Sequence, residues 1–407
     1  MTKTPRIIWL LAFVSLIGYA LRSNIAIAQE YMAPELGLSM GDMGIISAWG
    51  FQLAYALFQI PGGFLGDRYG ARLILGLAIV GWSIASFASG LVATGAGLAF
   101  ATLFASRVLL GVAQAATYPV SAMAAAQHVP IERRVGASSI YLAAALLGSA
   151  LAPLVLAPLM VAAGWRAVFI ASGVVGLLTA AIWFALAPRR AEPSSTQRYV
   201  PMGEQIRTAV RLLRRPSLLL LSVSYLLHSA VYFVFVFWFF RYLTEARGFS
   251  VLASGVWGSV PNFMAFVIAP LIGFGADRLA RRVFPAAARR RVAIGCLVVA
   301  AAFVLIGANL PTPWMAIMAL GASLGCLSGA EAPFWTTATA LGKEAPGSAG
   351  GVLNLMGNLG GVLSIWLVPP MKDAWGWAPM LAFWAAVALV AALLWLTVPV
   401  DHEAGAD

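Results

Sequence analysis

Long apolar runs alternate with short polar stretches along almost the whole chain. Each run is continuous over about 20 residues, which is the length an α-helix needs to cross the hydrocarbon core of a bilayer. The strands of a membrane β-barrel would instead alternate apolar and polar residues with a period of two. The pattern therefore predicts an all-α polytopic membrane protein with twelve transmembrane helices. The predicted spans are 6–28, 42–65, 72–94, 97–121, 136–161, 165–187, 217–242, 252–275, 290–310, 313–338, 348–370 and 376–398.

The composition supports a membrane location and excludes most other classes. Of the 407 residues, 61% are hydrophobic and only 10% are charged, with a mean hydropathy of +0.88. A soluble fold of this size could not bury so much apolar surface. Cys296 and Cys326 fall inside apolar runs, and the three histidines are scattered, so neither type forms a metal or disulfide pattern. No catalytic dyad is evident, and we expect no enzyme activity and no cofactor.

The positions of the basic residues predict the topology. With the N-terminus placed in the cytoplasm, 20 of the 26 lysines and arginines fall in cytoplasmic segments and three fall in outer loops. Such a bias follows the positive-inside rule. We therefore expect both termini in the cytoplasm, in a bacterial-type inner membrane. The net charge of +11 then reflects the basic cytoplasmic segments, and no nucleic-acid partner is expected. The chain is expected to be a monomer.

A repeated motif divides the chain into two. Gly-x-x-x-Asp-Arg occurs at 63–68, after the second span, and again at 273–278, after the eighth, 210 residues later. Glycine lets helices approach closely, and an aspartate at a helix end can meet a basic side chain. A single copy could be a generic tight turn, but two copies at matched positions favour a conformational latch. The candidate latch residues are Gly63, Asp67, Arg68, Arg72, Asp277 and Arg278.

The motif resembles the signature loop of the major facilitator superfamily. The resemblance covers essentially the whole chain and implies two pseudo-symmetric six-helix bundles around a central cavity, working by alternating access. The expected divisions are an N-terminal bundle at 1–187, a cytoplasmic loop at 188–216, a C-terminal bundle at 217–398 and a cytoplasmic tail at 399–407. Part of the loop, 203–215, could be an amphipathic helix on the inner leaflet or a solvated linker.

Three arginines are assigned to the membrane rather than to a cytoplasmic or outer segment, and a charge there is costly and is functional by default. Arg22 lies in the first span and Arg107 lies near the middle of the fourth. Without a nearby acid, two guanidinium groups favour an anionic ligand, because the planar fork binds a carboxylate or phosphate through two hydrogen bonds. Each could instead bind a helix C-terminus or snorkel to an interface. Arg241 ends the seventh span and is a candidate for gating or for snorkelling.

Only one acid falls plausibly within the membrane. Glu331 lies in the tenth span, and His228 in the seventh could titrate near neutral pH. Glu331 could carry a proton, or pair with Arg107, Arg241 or a loop arginine as a gate. His228 could equally be a hydrogen-bonded packing residue. Further polar candidates for substrate binding are Tyr55, Tyr118, Gln114, Asn354 and Asn358.

Four stretches resemble the anion:cation symporter branch, whose members carry organic anions such as sugar acids. They are 54–63, the run 107–119, Phe334-Trp335, and the Asn-x-x-x-Asn-Leu-Gly-Gly run at 354–361. The resemblance implies that Arg22 and Arg107 contact the anion.

At two positions this chain differs from the branch in residues that concern the energy source of transport. Many proton-coupled members carry acids where this chain has Leu21 and Gln114. Proton symport is therefore in doubt, which leaves anion exchange, uniport, sodium coupling, or a proton site moved to Glu331 or His228. Efflux of a cationic drug is a weaker alternative, because it would need more cavity acids.

Overall fold

The computed structural model describes residues 6–128, 134–188, 202–280, 282–342 and 346–398, which are helical and contain no strand. The contacts divide the chain into two units. The first comprises 1–202 with 248–259, and the second comprises 203–247 with 260–407. The fold class predicted from the apolar runs is confirmed.

The first unit contains eight helices and one π-helical segment within its described residues. They are α1 (Arg6–Arg22), α2 (Asn24–Leu36), α3 (Met40–Ile45), the π-helical segment (Ile46–Leu53), α4 (Ala54–Tyr69), α5 (Ala71–Gly90), α6 (Ala96–Ala115), α7 (Thr117–His128) and α8 (Arg134–Leu186). Helix α1 packs on α8, and α5 packs on α6 and α8. The π-helical segment and α4 both pack on α6.

The second unit contains the remaining described helices. They are α9 (Met202–Leu213), α10 (Pro216–Arg247), α11 (Val251–Ala280), α12 (Pro285–Asn309), α13 (Pro313–Leu341), α14 (Pro346–Trp375) and α15 (Trp377–Thr397). The first nine residues of α11 group with the first unit. Helix α10 packs on α14 and α15, whereas α12 packs on α13 and α15.

Ten helices in the described part of the chain are long and apolar enough to cross a membrane. One of them, 140–186, has 47 residues, and at 1.5 Å per residue it is about 70 Å long, more than two bilayer cores. Gly164 breaks it with a φ of 79°, between the predicted fifth and sixth spans. The predicted second span lies in the helical run 40–69, which the π-helical segment divides into shorter pieces. Each of the twelve predicted spans therefore coincides with a helical stretch.

Glycines set the closest helix contacts in each unit. A Cβ on Gly148 of α8 would overlap the carbonyl oxygen of Leu16 in α1. A Cβ on Gly360 of α14 would overlap the carbonyl oxygen of Leu226 in α10. Small residues allow such approach in membranes, where dispersion contacts rather than water exclusion drive helix association. The glycine-rich run of α14 thus fixes its distance from α10.

Candidate functional site

Arg22 is the last residue of α1, and its side chain turns into the first unit. The residue is 8% exposed. Its Nη2 donates a hydrogen bond to Oε1 of Gln52 over 3.0 Å. Its Cζ lies 4.5 Å from the ring centre of Phe51 and 4.9 Å from that of Tyr55. The π-helical segment supplies Gln52 and Phe51, and such segments often occur where a helix is adapted to a functional site.

A pocket opens beside this guanidinium within the first unit. Its polar lining comes from α1, α4, α6 and α7, and comprises Ser15, Tyr19, Arg22, Tyr55, Gln114, Thr117 and Tyr118. The rings of Tyr19 and Tyr118 meet edge to face with centroids 5.9 Å apart. Gln114 donates from Nε2 to the carbonyl oxygen of Gly18 over 3.2 Å. The structure therefore brings together four of the sequence-predicted residues: Arg22, Tyr55, Gln114 and Tyr118.

The charge of Arg22 is not neutralised within the described residues. It forms no ion pair with a described carboxylate, and its Nε has no hydrogen-bond partner. Other arginines of the chain are paired: Arg166 binds Glu35, and Arg241 binds Glu245. A buried cation without an acid is costly, because low-dielectric surroundings penalise an unpaired charge. The surroundings of Arg22 therefore favour a ligand group that brings its own negative charge.

Arg107 has different surroundings, although it is also buried, at 2% exposed. Its Nη2 donates to Oγ of Ser89 over 3.1 Å, and its Cζ lies 5.2 Å from the ring centre of Phe169. Its Nε has no hydrogen-bond partner, and it forms no ion pair with a described carboxylate. Arg107 does not line the pocket beside Arg22. The two arginines thus occupy separate environments in the first unit.

In the second unit, Glu331 and His228 lie side by side. Oε2 of Glu331 accepts hydrogen bonds from the hydroxyl of Tyr225 over 2.7 Å and from Nε1 of Trp335 over 3.1 Å. Oε1 lies 3.9 Å from Nδ1 of His228. The imidazole stacks on Tyr225 with ring centroids 5.5 Å apart, and Phe334 packs on both rings. We call these four side chains, Tyr225, His228, Glu331 and Trp335, the carboxylate cluster.

Two further candidates in this unit have partners of their own. Nδ2 of Asn358 donates to the backbone oxygen of Asn354 over 2.8 Å. Arg241 donates from Nε to Glu245 over 2.6 Å, and Lys372 reaches the same carboxylate over 3.4 Å. A gate formed between Glu331 and Arg241 is therefore absent from this arrangement.

The latch residues of the first motif contact neighbouring helices. Gly63 faces Pro119 of α7, where a Cβ would lie 3.2 Å from the proline Cβ. Arg72 donates to the carbonyl oxygen of Phe184 at the end of α8, and Trp183 donates back to the carbonyl oxygen of Arg72 over 2.8 Å. These contacts join the start of α5 to the end of α8.

Among the charged residues of the two motif copies, the structure describes the side chains of the two arginines. Arg68 lies over the ring of Tyr69 at 5.2 Å, and Arg278 is exposed. The side chains of Asp67 and Asp277 lie outside the described residues. The aspartate contact that defines a latch is therefore a prediction.

Sequence reasoning missed three side chains that define these sites. Ser89 holds Arg107, Phe51 stacks under Arg22, and Trp335 binds Glu331. Trp335 follows Glu331 by four residues, so the shared helix face could have revealed that pair. The other two contacts join different helices, and helix periodicity carries no signal for them.

The comparisons with known proteins agree with this architecture. The sequence pattern of the Major Facilitator Superfamily matches residues 8–365. The chain is 29% identical to the D-galactonate transporter of Escherichia coli O6:H1 (strain CFT073), over 93% of this chain and 92% of that protein. It is 26% identical to the hexuronate transporter of Bacillus subtilis (strain 168), over 89% of this chain and 86% of that protein.

A solved structure supports the fold. The crystal structure of a bacterial homologue of the human lysosomal transporter Spinster, in an inward-facing and unoccupied conformation, superposes with a TM-score of 0.78. It is 18% identical, and the alignment covers 99% of each chain. At this identity the likeness concerns the fold alone. The family match over most of the chain is the stronger finding, and by it this chain belongs to the Major Facilitator Superfamily.

Proposed function

We propose that this chain is a secondary transporter that carries a small organic anion, a sugar-acid carboxylate, across a bacterial-type inner membrane by alternating access. The names of the relatives support this substrate class, since they are transporters of D-galactonate and hexuronate. The observation that carries the proposal is the buried Arg22, which borders a small pocket and has no described acid to neutralise it.

The pocket chemistry fits a hydroxylated carboxylate. The guanidinium supplies two parallel donors for the carboxylate oxygens, which a lysine cannot present. The phenol groups of Tyr55 and Tyr118 and the amide of Gln114 can donate to, or accept from, hydroxyl groups of a sugar acid. The rings of Phe51 and Tyr55 hold the guanidinium plane, so little side-chain entropy is lost when an anion binds.

Arg107 is proposed as a second cationic contact of the transport cycle. Its unpaired Nε and full burial give it the same electrostatic need as Arg22, although it lies outside the pocket described above. Asn354 and Asn358 of α14 are proposed as further polar contacts of the substrate. The proposal also includes the predicted topology, with both termini in the cytoplasm, and the predicted cytoplasmic loop at 188–216.

Counterflow in proteoliposomes tests the function. Vesicles are loaded with unlabelled D-galactonate or a hexuronate, and entry of labelled compound is measured. We expect wild-type exchange, and loss of exchange in Arg22→Gln and Arg22→Lys, because neither substitute provides a charged planar fork. Arg166→Gln is the matched control, since Arg166 is partly exposed and pairs with Glu35 away from the pocket. Full exchange by Arg22→Gln would refute the site.

Arg107→Gln separates binding from packing at the second arginine. Glutamine keeps a polar side chain at this position but carries no charge. We expect the variant to remain folded by thermal denaturation and to lose uptake of the anion. Wild-type uptake in this variant would remove Arg107 from the transport cycle.

A further inference from the structure

The imidazole of His228 has one nitrogen with a fixed role and one without a partner. The side chain is completely buried. Nε2 lies 2.9 Å from the carbonyl oxygen of Leu327, and a carbonyl oxygen can only accept, so Nε2 carries a hydrogen. In a neutral imidazole Nδ1 then has only a lone pair. Nδ1 has no hydrogen-bond partner and lies 3.9 Å from Oε1 of Glu331.

The other side of the carboxylate is already satisfied. Tyr225 and Trp335 both donate to Oε2 of Glu331. These two donors orient the carboxylate so that Oε1 is the atom turned to the imidazole. The His228 ring is fixed in the same way by its stacking on Tyr225 and its tilted contact with Phe334. Nδ1 of His228 and Oε1 of Glu331 are thus each held in place by neighbouring side chains and not by a bond between them.

Two lone pairs that face each other without a hydrogen between them are an unsatisfied arrangement. Leaving a buried acceptor such as Nδ1 without a partner destabilises the folded protein, because the atom loses its hydrogen bond to water and gains none. One proton placed between Nδ1 and Oε1 removes this cost and adds a charge-assisted hydrogen bond. We propose that His228 and Glu331 together bind the proton that drives transport, which rests on the proposed function above.

The neighbouring helices supply no competing group among the described side chains. Tyr225 of α10 is the other titratable residue in contact with Glu331, and it acts as a donor. Arg241, further along α10, is bound to Glu245. From α11, α12, α14 and α15, no described titratable side chain forms a hydrogen bond or an ion pair with either member of the pair. The pocket beside Arg22 contains no acid in its lining.

Proton access and its consequence follow from the geometry. The Glu331 side chain is 34% exposed whereas that of His228 is buried, so a proton reaches the pair through Glu331. Protonation forms one N–H···O hydrogen bond, and no other bond is made or broken. The 3.9 Å separation then shortens toward about 2.8 Å, the usual length of such a bond. Because His228 belongs to α10 and Glu331 to α13, the proton tightens the contact between these helices.

Two assays on the same proteoliposomes test the assignment. The first is counterflow of labelled D-galactonate, which needs no net proton movement. The second is accumulation driven by an inside-alkaline pH gradient, where one pH unit supports an about tenfold accumulation ratio for one proton per anion. We expect Glu331→Gln and His228→Gln to keep counterflow and to lose accumulation. Glu35→Gln is the matched control, because it also neutralises a carboxylate but one that pairs with Arg166 and contacts neither member of the pair, so accumulation should persist.

Each of the other outcomes would contradict one specific part of the proposal. Wild-type accumulation by Glu331→Gln overturns the proton site. Loss of counterflow in a folded Glu331→Gln protein also overturns it, because the carboxylate then serves substrate binding or packing. Wild-type protein that exchanges D-galactonate without responding to the pH gradient refutes proton coupling and leaves the proposed function standing. Wild-type protein that exchanges neither D-galactonate nor a hexuronate refutes the proposed function itself.

Discussion

Gln52→Glu is the sharpest test of Arg22 as the anion anchor. The amide oxygen of Gln52 lies 3.0 Å from Nη2 of Arg22, so a carboxylate at the same position would form a direct ion pair. The substrate would then have to displace the introduced carboxylate from Arg22. We expect the affinity for D-galactonate to fall, while thermal stability stays at or above that of the wild type because a buried charge gains a partner.

The magnitude follows from the strength of the bond to be displaced. A hydrogen bond to a charged group contributes about 1.5–3 kcal/mol, and each 1.4 kcal/mol is tenfold in affinity, so the dissociation constant should rise about 10- to 100-fold. Isothermal titration of the purified protein with D-galactonate measures this change. Acidification should recover part of the affinity, since a protonated carboxyl at this position is neutral like the native amide.

Gln52→Met is the control for the loss of the native hydrogen bond. Methionine has a similar length and no charge, so its effect should stay below that of the acid. A Gln52→Glu protein that binds D-galactonate as tightly as the wild type would show that the anion does not use Arg22.

Two further substitutions test the neighbouring chemistry. Gln114→Glu replaces a donor to the Gly18 carbonyl by a carboxylate that lacks a hydrogen, so counterflow should increase as the pH falls, and a pH profile identical to the wild type would contradict this. Gly360→Ala forces a Cβ against the Leu226 carbonyl, and overpacking of this kind costs about 1–3 kcal/mol. Its melting temperature should drop, whereas Gly351→Ala on the same helix meets no atom within 4 Å and should leave it unchanged or raise it slightly.

The apolar runs were sufficient to predict the spans because lipid imposes the same demand on every crossing segment. An α-helix satisfies its own backbone hydrogen bonds, so length and hydropathy decide where it forms. The π-helical segment at 46–53 carries no such signal. The segment packs against α6, and hydropathy does not record such a contact.

The candidate site was predictable only where one residue is unusual by itself. Arg22, Arg107 and Glu331 stand out because they are charges in apolar runs. Their partners depend on how each helix is rotated about its axis, and a single sequence does not record that rotation. For this reason Arg107 beside Ser89 came only from the structure, whereas Arg241 and Glu245 lie four residues apart on α10 and share a helix face that the sequence does show.

The two proposed sites separate anion binding from proton binding by their chemistry. At Arg22 the nearby polar partners are amides and hydroxyls, so no acid in the pocket lining has to gain a proton before the substrate binds. Any pH dependence of transport must then arise at another titratable group, and His228 with Glu331 is the described pair with an unfilled proton position. Neutralising that pair in Glu331→Gln should therefore flatten the pH profile of uptake without weakening the binding of D-galactonate. A Glu331→Gln protein with an unchanged pH profile would show that the proton acts at another residue.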